Sequence, residues 1–372
     1  MWIYGFSVLI FVFVIQLFFL LYIFYRPLLV SKKNILSFPD NELPPISVII
    51  CAKNEEENLE KFLTKVLEQN YPNFEVIVVD DASEDNTTSV LKEFSLKFKN
   101  LSFVSIQKEP LHEIGKKYPL TVGIKKAKNE ILILTDADCY PVSENWLKNI
   151  VYQYKNESTE IVLAYGGYEK EKSLVNYFIR FDTLTIAMQY FSMAAMKLAY
   201  MGVGRNLSYK KSIFLQHKGF KNYLHLSSGD DDLIVKKMAT KNNVSFTLKS
   251  DSQTLSIPKK TFKSWTIQKN RHLSTGKFVN KKVKLLNAAY PLSLLIFITL
   301  AIILFENNEM GYVIVSLVVL RYVVFYIISF QWCKTLNEKD LFIFSPILEI
   351  LLIPIYIYFA IFSFLTKKIQ WK

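Results

Sequence analysis

Three acidic groups and one basic stretch have the residue types and spacing to do chemistry. Asp136-Ala137-Asp138 places two carboxylates one residue apart, directly after the apolar run Ile131–Leu134 and Thr135. Turns favour Asp for its own sake. At the end of an apolar run, however, two carboxylates on a bending backbone can hold a hard cation together with diphosphate oxygens, the ligand set Mg2+ and Mn2+ share with phosphates. Asp80-Asp81 ends a second apolar run, Glu75–Val79. An ionised carboxylate there can accept a hydrogen bond from a nucleobase N–H, while Ser83 or Asp85 behind it can cap a helix. Ser228-Gly229-Asp230-Asp231-Asp232-Leu233 sets three acids in a row. Their repulsion raises at least one pKa, which suits a general base near neutral pH; the same acids can also stabilise a helix N-terminus. Gln268 and Arg271 share one face of a helix over Thr261–Leu273, and Arg can grip phosphate oxygens with two parallel hydrogen bonds. With Phe262 and Trp265 the same stretch reads as an amphipathic helix at a membrane surface. His272 has no second His three or four residues away, so it is not read as a metal ligand. The glycines of Gly202-Val203-Gly204-Arg205-Asn206 allow close backbone approach to a ligand or form a turn, and Arg205 joins the candidate substrate-binding residues.

These groups need elements to bring them together. Ile46–Cys51 (ISVIIC) is a short run rich in β-branched residues, the pattern of a strand buried on both faces. After Asn54 and Glu55, Leu59, Phe62, Leu63, Val66 and Leu67 recur at the spacing of an amphipathic helix. Glu75–Val79, Leu101–Ile106 and Ile131–Leu134 predict three more strands. Helices through Val90, Leu91 and Phe94 and over Leu120–Lys128 fall between them, the second entered from Gly115-Lys116-Lys117. Another, Leu233–Met238, follows the three acids. The alternation predicts a parallel, doubly wound sheet, whose ligands lie beyond the carboxyl ends of the strands. Asn54, Glu55, Asp80, Asp81, Asp136 and Asp138 all fall at such ends and should meet in one crevice. No G-x-G-x-x-G follows the first strand and no P-loop occurs, which argues against a dinucleotide and against P-loop chemistry.

The chain has 372 residues, 51% of them hydrophobic, and yet carries a net charge of +12. The two properties are separated along the sequence. Trp2–Tyr25 has no charged residue and, at about 1.5 Å per residue, can cross a hydrocarbon core of about 30 Å. It is too long for a signal peptide and lacks a basic start and a small-residue cleavage site. Leu286–Phe305 and Gly311–Phe330 are further apolar segments, split by the acidic 306–309 loop. Leu341–Leu365 is a third, interrupted by Pro346, Glu349 and Pro354, and reads as a span or as a re-entrant segment. Arg26, Lys32 and Lys33 follow the first span, and Lys277, Lys281, Lys282 and Lys284 precede the second, which puts the central block on the cytoplasmic side. Lys367-Lys368 run against that topology if the last segment crosses once. Leu174–Tyr200, broken by Arg180, Asp182 and Lys197, predicts a long core or interfacial helix. The expected organisation is a transmembrane helix over 1–25, a cytoplasmic domain over 31–260, an amphipathic interface helix over 261–285, and a membrane region over 286–372 with two or three spans. The apolar content excludes a disordered chain. Cys51, Cys139 and Cys333 have no pairing spacing, which excludes a disulfide framework and a cysteine-ligated zinc module and fits a reducing compartment. The lysines are dispersed and no nucleic-acid module occurs, so nucleic acid is not an expected partner; attraction to anionic headgroups accounts for the positive excess.

Together these residues resemble glycosyltransferase family 2, in its membrane-integrated branch with the cellulose, chitin and hyaluronan synthases. Ile46–Glu55 (ISVIICAKNE) is similar to the family's opening strand and turn, and Val78–Ser83 (VVDDAS) to its nucleotide-binding strand end. Gly115-Lys116-Lys117 resembles its basic turn before a helix, and Leu134–Asp138 (LTDAD) its metal-binding D-x-D. Gly229-Asp230-Asp231 resembles its catalytic-base motif, and Gln268–Arg271 the first four positions of Q-x-x-R-W. The resemblance implies an α/β GT-A fold, a nucleotide-diphosphate sugar donor that is UDP-linked, and Mg2+ or Mn2+ on Asp136 and Asp138. It implies a single inverting displacement in which Asp231 or Asp230 deprotonates an acceptor hydroxyl. Asp80 or Asp81 reads the base, and Lys116, Gln268 and Arg271 offset leaving-group charge. Asn54, Glu55 and Arg205 complete the substrate-binding set. There are two departures. His272 stands where the signature has the Trp that helps hold the acceptor sugar. The base motif reads G-D-D-D-L; alignment on the Gly makes Asp231 the base, the preferred reading, and alignment on the Leu makes it Asp230.

The expected protein is a multi-pass cell-membrane enzyme whose partners are a nucleotide-sugar donor, a polysaccharide or other glycan acceptor and membrane lipids. Two other readings compete. One is transfer of a single sugar to a polyprenyl phosphate or other lipid, which the missing Trp favours. The other is a catalytically silent subunit that binds nucleotide sugar, against which the intact acid groups argue.

Overall fold

In the computed structural model the chain opens with helix α1 (Trp2–Phe18), widens into a π-helical turn at Phe19–Phe24, and continues as α2 (Arg26–Lys33). The structure describes residues 2–33, 38–39, 42–107, 115–224, 226, 228–305 and 311–366; the expectations for the 306–309 loop and for Lys367-Lys368 lie outside these, as does the side chain of Lys277.

The four apolar runs form β1 (Ile46–Ala52), β2 (Phe74–Asp81), β3 (Leu101–Ile106) and β4 (Ile131–Asp136). They are joined by α3 (Glu56–Leu67), α4 (Thr87–Lys97) and α5 (Lys117–Lys126). The strands lie parallel in the order β3-β2-β1-β4, with Cys51 between Val79 and Asp136 and Ala52 beside Asp80. The stripe Leu59, Phe62, Leu63, Val66 and Leu67 of α3 is buried, as its spacing requires. Helix α5 lies close against β1 and β2 at Gly123, where a Cβ would stand 2.7 Å from the Ile49 Cγ2 and 3.1 Å from the Val79 Cγ2. The chain winds outward from β1 to β3 and then returns to β4 on the other side of β1. That reversal opens a crevice at the carboxyl ends of β1 and β4.

Beyond β4 come β5 (Cys139–Pro141), α6 (Trp146–Val151), β6 (Ile161–Leu163), β7 (Gly166–Tyr168), α7 (Leu174–Ala195) and β8 (Leu207–Lys210). Next are α8 (Lys211–Gln216), α9 (Asp232–Met238), β9 (Val244–Phe246), β10 (Thr254–Ser256) and α10 (Phe262–Leu273). β8 pairs antiparallel with β4 and carries β6 and β9, extending the sheet to seven strands, while β5, β10 and β7 form a second sheet of three. The charges that interrupt α7 are its ties to other elements. Arg180 and Asp182 are only 1% and 2% exposed. Arg180 bridges Glu338 and Asp340, and the Asp182 carboxylate takes the Lys269 ammonium at 2.7 Å and a hydrogen bond from the Tyr356 hydroxyl at 2.6 Å. The α7 carboxyl end is closed by Arg26, whose Nε donates to the Ala195 carbonyl at 3.0 Å.

The chain ends in α11 (Lys281–Phe305), α12 (Gly311–Thr335) and α13 (Ser345–Leu365). With the helix over Ile3–Lys32 these make, among the described residues, four helices long and apolar enough to cross a membrane. α13 is one helix despite its two prolines. Pro346 sits in the first turn, where a missing N–H breaks no helical bond, and Pro354 alone lies in the interior. The third residue that interrupts the run, Glu349, is paired. Arg321 of α12 donates to both Glu349 oxygens, at 2.6 and 2.7 Å, and to the Gln16 amide oxygen of α1 at 2.9 Å. The Tyr290 hydroxyl of α11 donates to Glu349, and Gln16 Nε2 donates to Ser293 Oγ at 2.7 Å. All four helices thus contribute to one polar cluster, which satisfies groups that would be very costly alone at membrane depth. Breaking a buried pair leaves an uncompensated charge. Glu349→Ala should therefore cost about 3–5 kcal/mol of stability, read as a fall in Tm of the full chain in detergent. Replacing both partners, Arg321→Met with Glu349→Leu, should recover most of the loss.

Candidate active site

Asp136 is the last residue of β4, and the parallel register puts it beside Cys51 at the end of β1. Lys116, just before α5, forms an ion pair with it. Burial acts to raise the Asp136 pKa, but Lys116, then Arg205 and Arg271, hold the carboxyl below its ordinary range. Asp138 goes the other way. Burial and the Asp136 charge raise it, against the weaker help of Arg205, Lys259 and the Cys139 thiol, which donates to Oδ1 at 3.2 Å. The ligand atoms of Asp136, Asp138 and Cys139 all lie within 4.8 Å of one another. Two converging carboxylates, one of them held above its ordinary pKa, fit a hard divalent cation such as Mg2+ or Mn2+. Burial pushes the Cys139 thiol well up, so it stays protonated and adds little to such a donor set.

Arg205 sits in the turn before β8 and reaches back over this pair. Its Nε and Nη2 donate to the Gly166 carbonyl at 2.9 and 2.6 Å, its Nη1 donates to the Tyr168 hydroxyl at 3.2 Å, and its guanidinium lies 4.4 Å from the Tyr168 ring centroid. Gln268 Nε2 donates to the same hydroxyl at 3.2 Å. Tyr168 therefore joins Arg205 to α10, and the helix presents Arg271 towards Asp136. Helix α10 is held from behind by the Lys269–Asp182 pair and by Trp265, which is buried edge-on against Phe359 of α13. Trp265 is thus a packing anchor onto α13, not an exposed surface residue.

The acid loop is tied to both neighbours. Lys117 Nζ, buried, donates to the Leu226 and Ser228 carbonyls at 2.7 and 2.6 Å, so the adjacent lysines divide between D-x-D and acid loop. Ser228 Oγ donates to the Arg271 carbonyl at 3.1 Å, and Thr275 Oγ1 donates to Asp232 at 3.2 Å. Gly229 has φ +88°, and a Cβ there would meet Leu233 at 2.7 Å. Asp231 caps α9. Its two oxygens accept the Gly204 N–H at 2.9 Å and the Asp232 N–H at 2.8 Å, while burial and the Asp230 charge push its pKa up to about 6. The Asp230 carboxylate makes no hydrogen bond among the described residues, and its charge acts on Lys116 and Lys117. Asp136, Asp138, Lys116, Arg205, Asp230, Asp231, Gln268 and Arg271 are all half-buried, as in the wall of a cleft.

The other expected residues have more local duties. Asn54, at φ +55°, accepts the Glu84 N–H at 2.7 Å, and its own N–H donates to Ser83 Oγ at 2.9 Å. The Glu55 N–H donates to Thr87 Oγ1 at 2.9 Å. These bonds join the turns after β1 and β2. Asp80 accepts the Ser83 N–H at 3.1 Å and the Thr88 hydroxyl. Asp81, one residue on, projects to the opposite face of the sheet, which it shares with Cys51 and Asp136. Asp85, by bonding the Thr87 N–H at 3.0 Å and the Glu56 N–H at 3.2 Å, serves both following helices. Tyr168 and Cys139 were not foreseen. The Gly166-Gly167 pair was the available signal, because a Cβ on Gly166 would stand 2.7 Å from Arg205 Cγ. Gly166→Ala should displace Arg205 and weaken binding of Mn2+ with a nucleoside diphosphate about tenfold, measured by calorimetry, with little change in Tm.

Residues 47–214 match the model of glycosyl transferase family 2. Glycosyltransferase AglE of Haloferax volcanii is 35% identical over 122 residues, 32% of this chain and 38% of the relative. The 4,4'-diaponeurosporenoate glycosyltransferase of Staphylococcus haemolyticus is 28% identical over 206 residues, 52% of this chain and 53% of the relative. The chain thus spans about half or less of the length of these curated relatives. Among solved structures, the mannosyltransferase PcManGT from Pyrobaculum calidifontis, in complex with GDP-Man and Mn2+, is 18% identical, with a TM-score of 0.54 over 92% of this chain and 99% of that one. That likeness is one of fold, and the α/β domain is of the GT-A type.

Proposed function

Since the chain carries a glycosyl transferase family 2 domain, we propose that it is a membrane-bound, inverting glycosyltransferase that uses a UDP-linked sugar and an acceptor hydroxyl of a glycan or lipid-linked glycan. The observation that carries this reading is the meeting of Lys116, Asp136, Asp138, Arg205 and Arg271 with the acid loop at the carboxyl ends of β1 and β4. Asp136 and Asp138 would hold Mg2+ or Mn2+, which when bound neutralises diphosphate charge. Lys116, Gln268 and Arg271 supply fixed positive charge and a donor where negative charge grows on the leaving diphosphate. Asp81 is on the face of the sheet suited to reading the base, whereas Asp80 holds its turn. The hydrogen bonds favour Asp230 as the proton acceptor, with Asp231 holding the loop. Asp230 takes the proton of the acceptor hydroxyl, and the oxygen forms a bond to the anomeric carbon. The bond to the diphosphate breaks on the opposite face, its electron pair leaves with the diphosphate, and the configuration inverts. The lysines and arginine around the spans support a cytoplasmic site.

Transfer of a single sugar to a polyprenyl phosphate or other lipid is the second reading, favoured by His272 in place of the signature Trp. A donor screen on the purified chain, reading UDP release with Mn2+ or Mg2+ and with or without lipid extract, tests the activity. Asp230→Asn should lower transfer by about 10²–10⁴-fold, the usual contribution of a general base, with donor binding retained. Transfer should fall as pH drops through about 6, because Asp231 then takes up a proton and neutralises part of the loop. Full transfer by both Asp230→Asn and Asp231→Asn would overturn the assignment.

A further inference from the structure

Tyr209 is a buried titratable group that the mechanism above leaves unused. It lies in β8, paired with Leu132 of β4 on one side and Ile161 of β6 on the other, and is fully buried. Side chains alternate between the faces of a strand, so Tyr209 shares the face of Leu132, Leu134 and Asp136, with Cys51 of β1 beside Asp136. Its ring lies nearly parallel to that of Phe214, with centroids 5.8 Å apart, and needs no hydroxyl to pack there. The hydroxyl itself has no hydrogen-bond partner among the described residues. Buried polar groups are nearly always paired, and an unpaired one costs stability, so a phenylalanine ring would serve the core better. What surrounds the hydroxyl is charge. Asp230 acts on it most strongly, then Lys116, followed by the Cys51 thiol and Tyr154. Lys116 pairs with Asp136, and Tyr154 shares a hydrogen bond of 2.7 Å with Ser208. Asp230, half-buried in the cleft wall, makes no hydrogen bond among the described residues either. Burial and the Asp230 charge hold the phenol proton in place, so a donor faces an acceptor. The neighbouring acid Asp231 is already fixed by the Gly204 and Asp232 N–H groups.

We propose that Tyr209 is a positioning residue for Asp230: its hydroxyl donates to one carboxylate oxygen, directly or across one water, and leaves the other oxygen free for the proton of the acceptor hydroxyl. This rests on the glycosyl-transfer reading above and adds to it the group that aims the base. A carboxylate has lone pairs enough for both duties, and a general base works only when held within reach of its proton. The test uses the full chain in detergent. Tyr209→Phe removes the hydroxyl and keeps the ring. It should lower kcat for transfer about tenfold, the usual effect of losing a hydrogen bond to a charged group. The donor KM should stay unchanged, and Tm should hold or rise, since an unpaired polar group is gone. A merely structural hydroxyl would lower Tm instead. In the Asp230→Asn background the same substitution should cost less than about twofold, because the group that it aims is absent. Fluorotyrosine at position 209 reads the contact without turnover. Its fluorine NMR signal should move more with Asp230→Asn than with Asp138→Asn, which removes another acid of the crevice. Four results overturn the inference while wild-type transfer stands: an unchanged kcat, an equal loss in both backgrounds, a rise in donor KM that ties Tyr209 to Lys116 instead, or a signal moved equally by both substitutions. No transfer by the wild type with any donor, with the signal still answering to Asp230→Asn, overturns the glycosyl-transfer reading and leaves the contact standing.

Discussion

The structure depends on gathering like charges that would otherwise drive one another apart. Asp136, Asp138, Asp230, Asp231 and Asp232 converge on one crevice from β4 and from the start of α9, and burial, with their mutual repulsion added, raises Asp138, Asp231 and Asp232. The counter-charges come from elsewhere in the chain. Lys116 arrives from the turn before α5, Arg205 from the turn before β8 and Arg271 from α10. Lys116 and Asp136 belong to one β-α-β unit, but Arg205, Arg271 and the acid loop come from later elements. The domain must therefore close around the crevice before the acids become affordable, and each later element is placed to make that closure stable.

Helix α10 shows how far this requirement extends. It carries Gln268 and Arg271 towards the crevice on one side, and its opposite side is fixed by Lys269 on Asp182 and by Trp265 on Phe359. Phe359 lies in α13, whose own position depends on the pairing of Glu349 with Arg321. A line of buried contacts thus runs from the D-x-D acids to the interior of the helical bundle. The long apolar helices act as the back wall of the cleft, so disturbance of their bundle should reach the positive side of the crevice.

Much of this order was legible in the sequence, for definite reasons. β1, β2 and β4 are buried on both faces over most of their length, and their apolar runs survive any tertiary context; the edge strand β3 is only half-buried. The acids at their ends stand out because the residues just before them are almost wholly apolar. The strands β5 to β10 are three or four residues long, too short to show a period, so the second sheet and the antiparallel extension were invisible. Tyr168 was lost with them. Arg180, Asp182 and Glu349 were seen, but as interruptions of apolar segments. Each is in fact satisfied by a partner distant in sequence: Arg180 by Glu338, Asp182 by Lys269 and Glu349 by Arg321. Sequence reading registers the polarity of such a residue but cannot supply the partner that makes it tolerable. For the same reason the separate duties of Lys116 and Lys117, neighbours in one basic turn, appear only when Asp136 and the Ser228 carbonyl are in place.

The division between oily and charged sequence is resolved at a thin layer. Tyr356, Asp182 and Lys269 form a short chain of hydrogen bond and ion pair, with the apolar helices on one side and the cleft's cations on the other. Tyr356 suits this position because its ring can face hydrocarbon while its hydroxyl meets a carboxylate. Asp182 suits it because two donors satisfy its charge without water. A wholly apolar layer would leave Lys269 without a partner, and a wholly polar one would let water into the bundle.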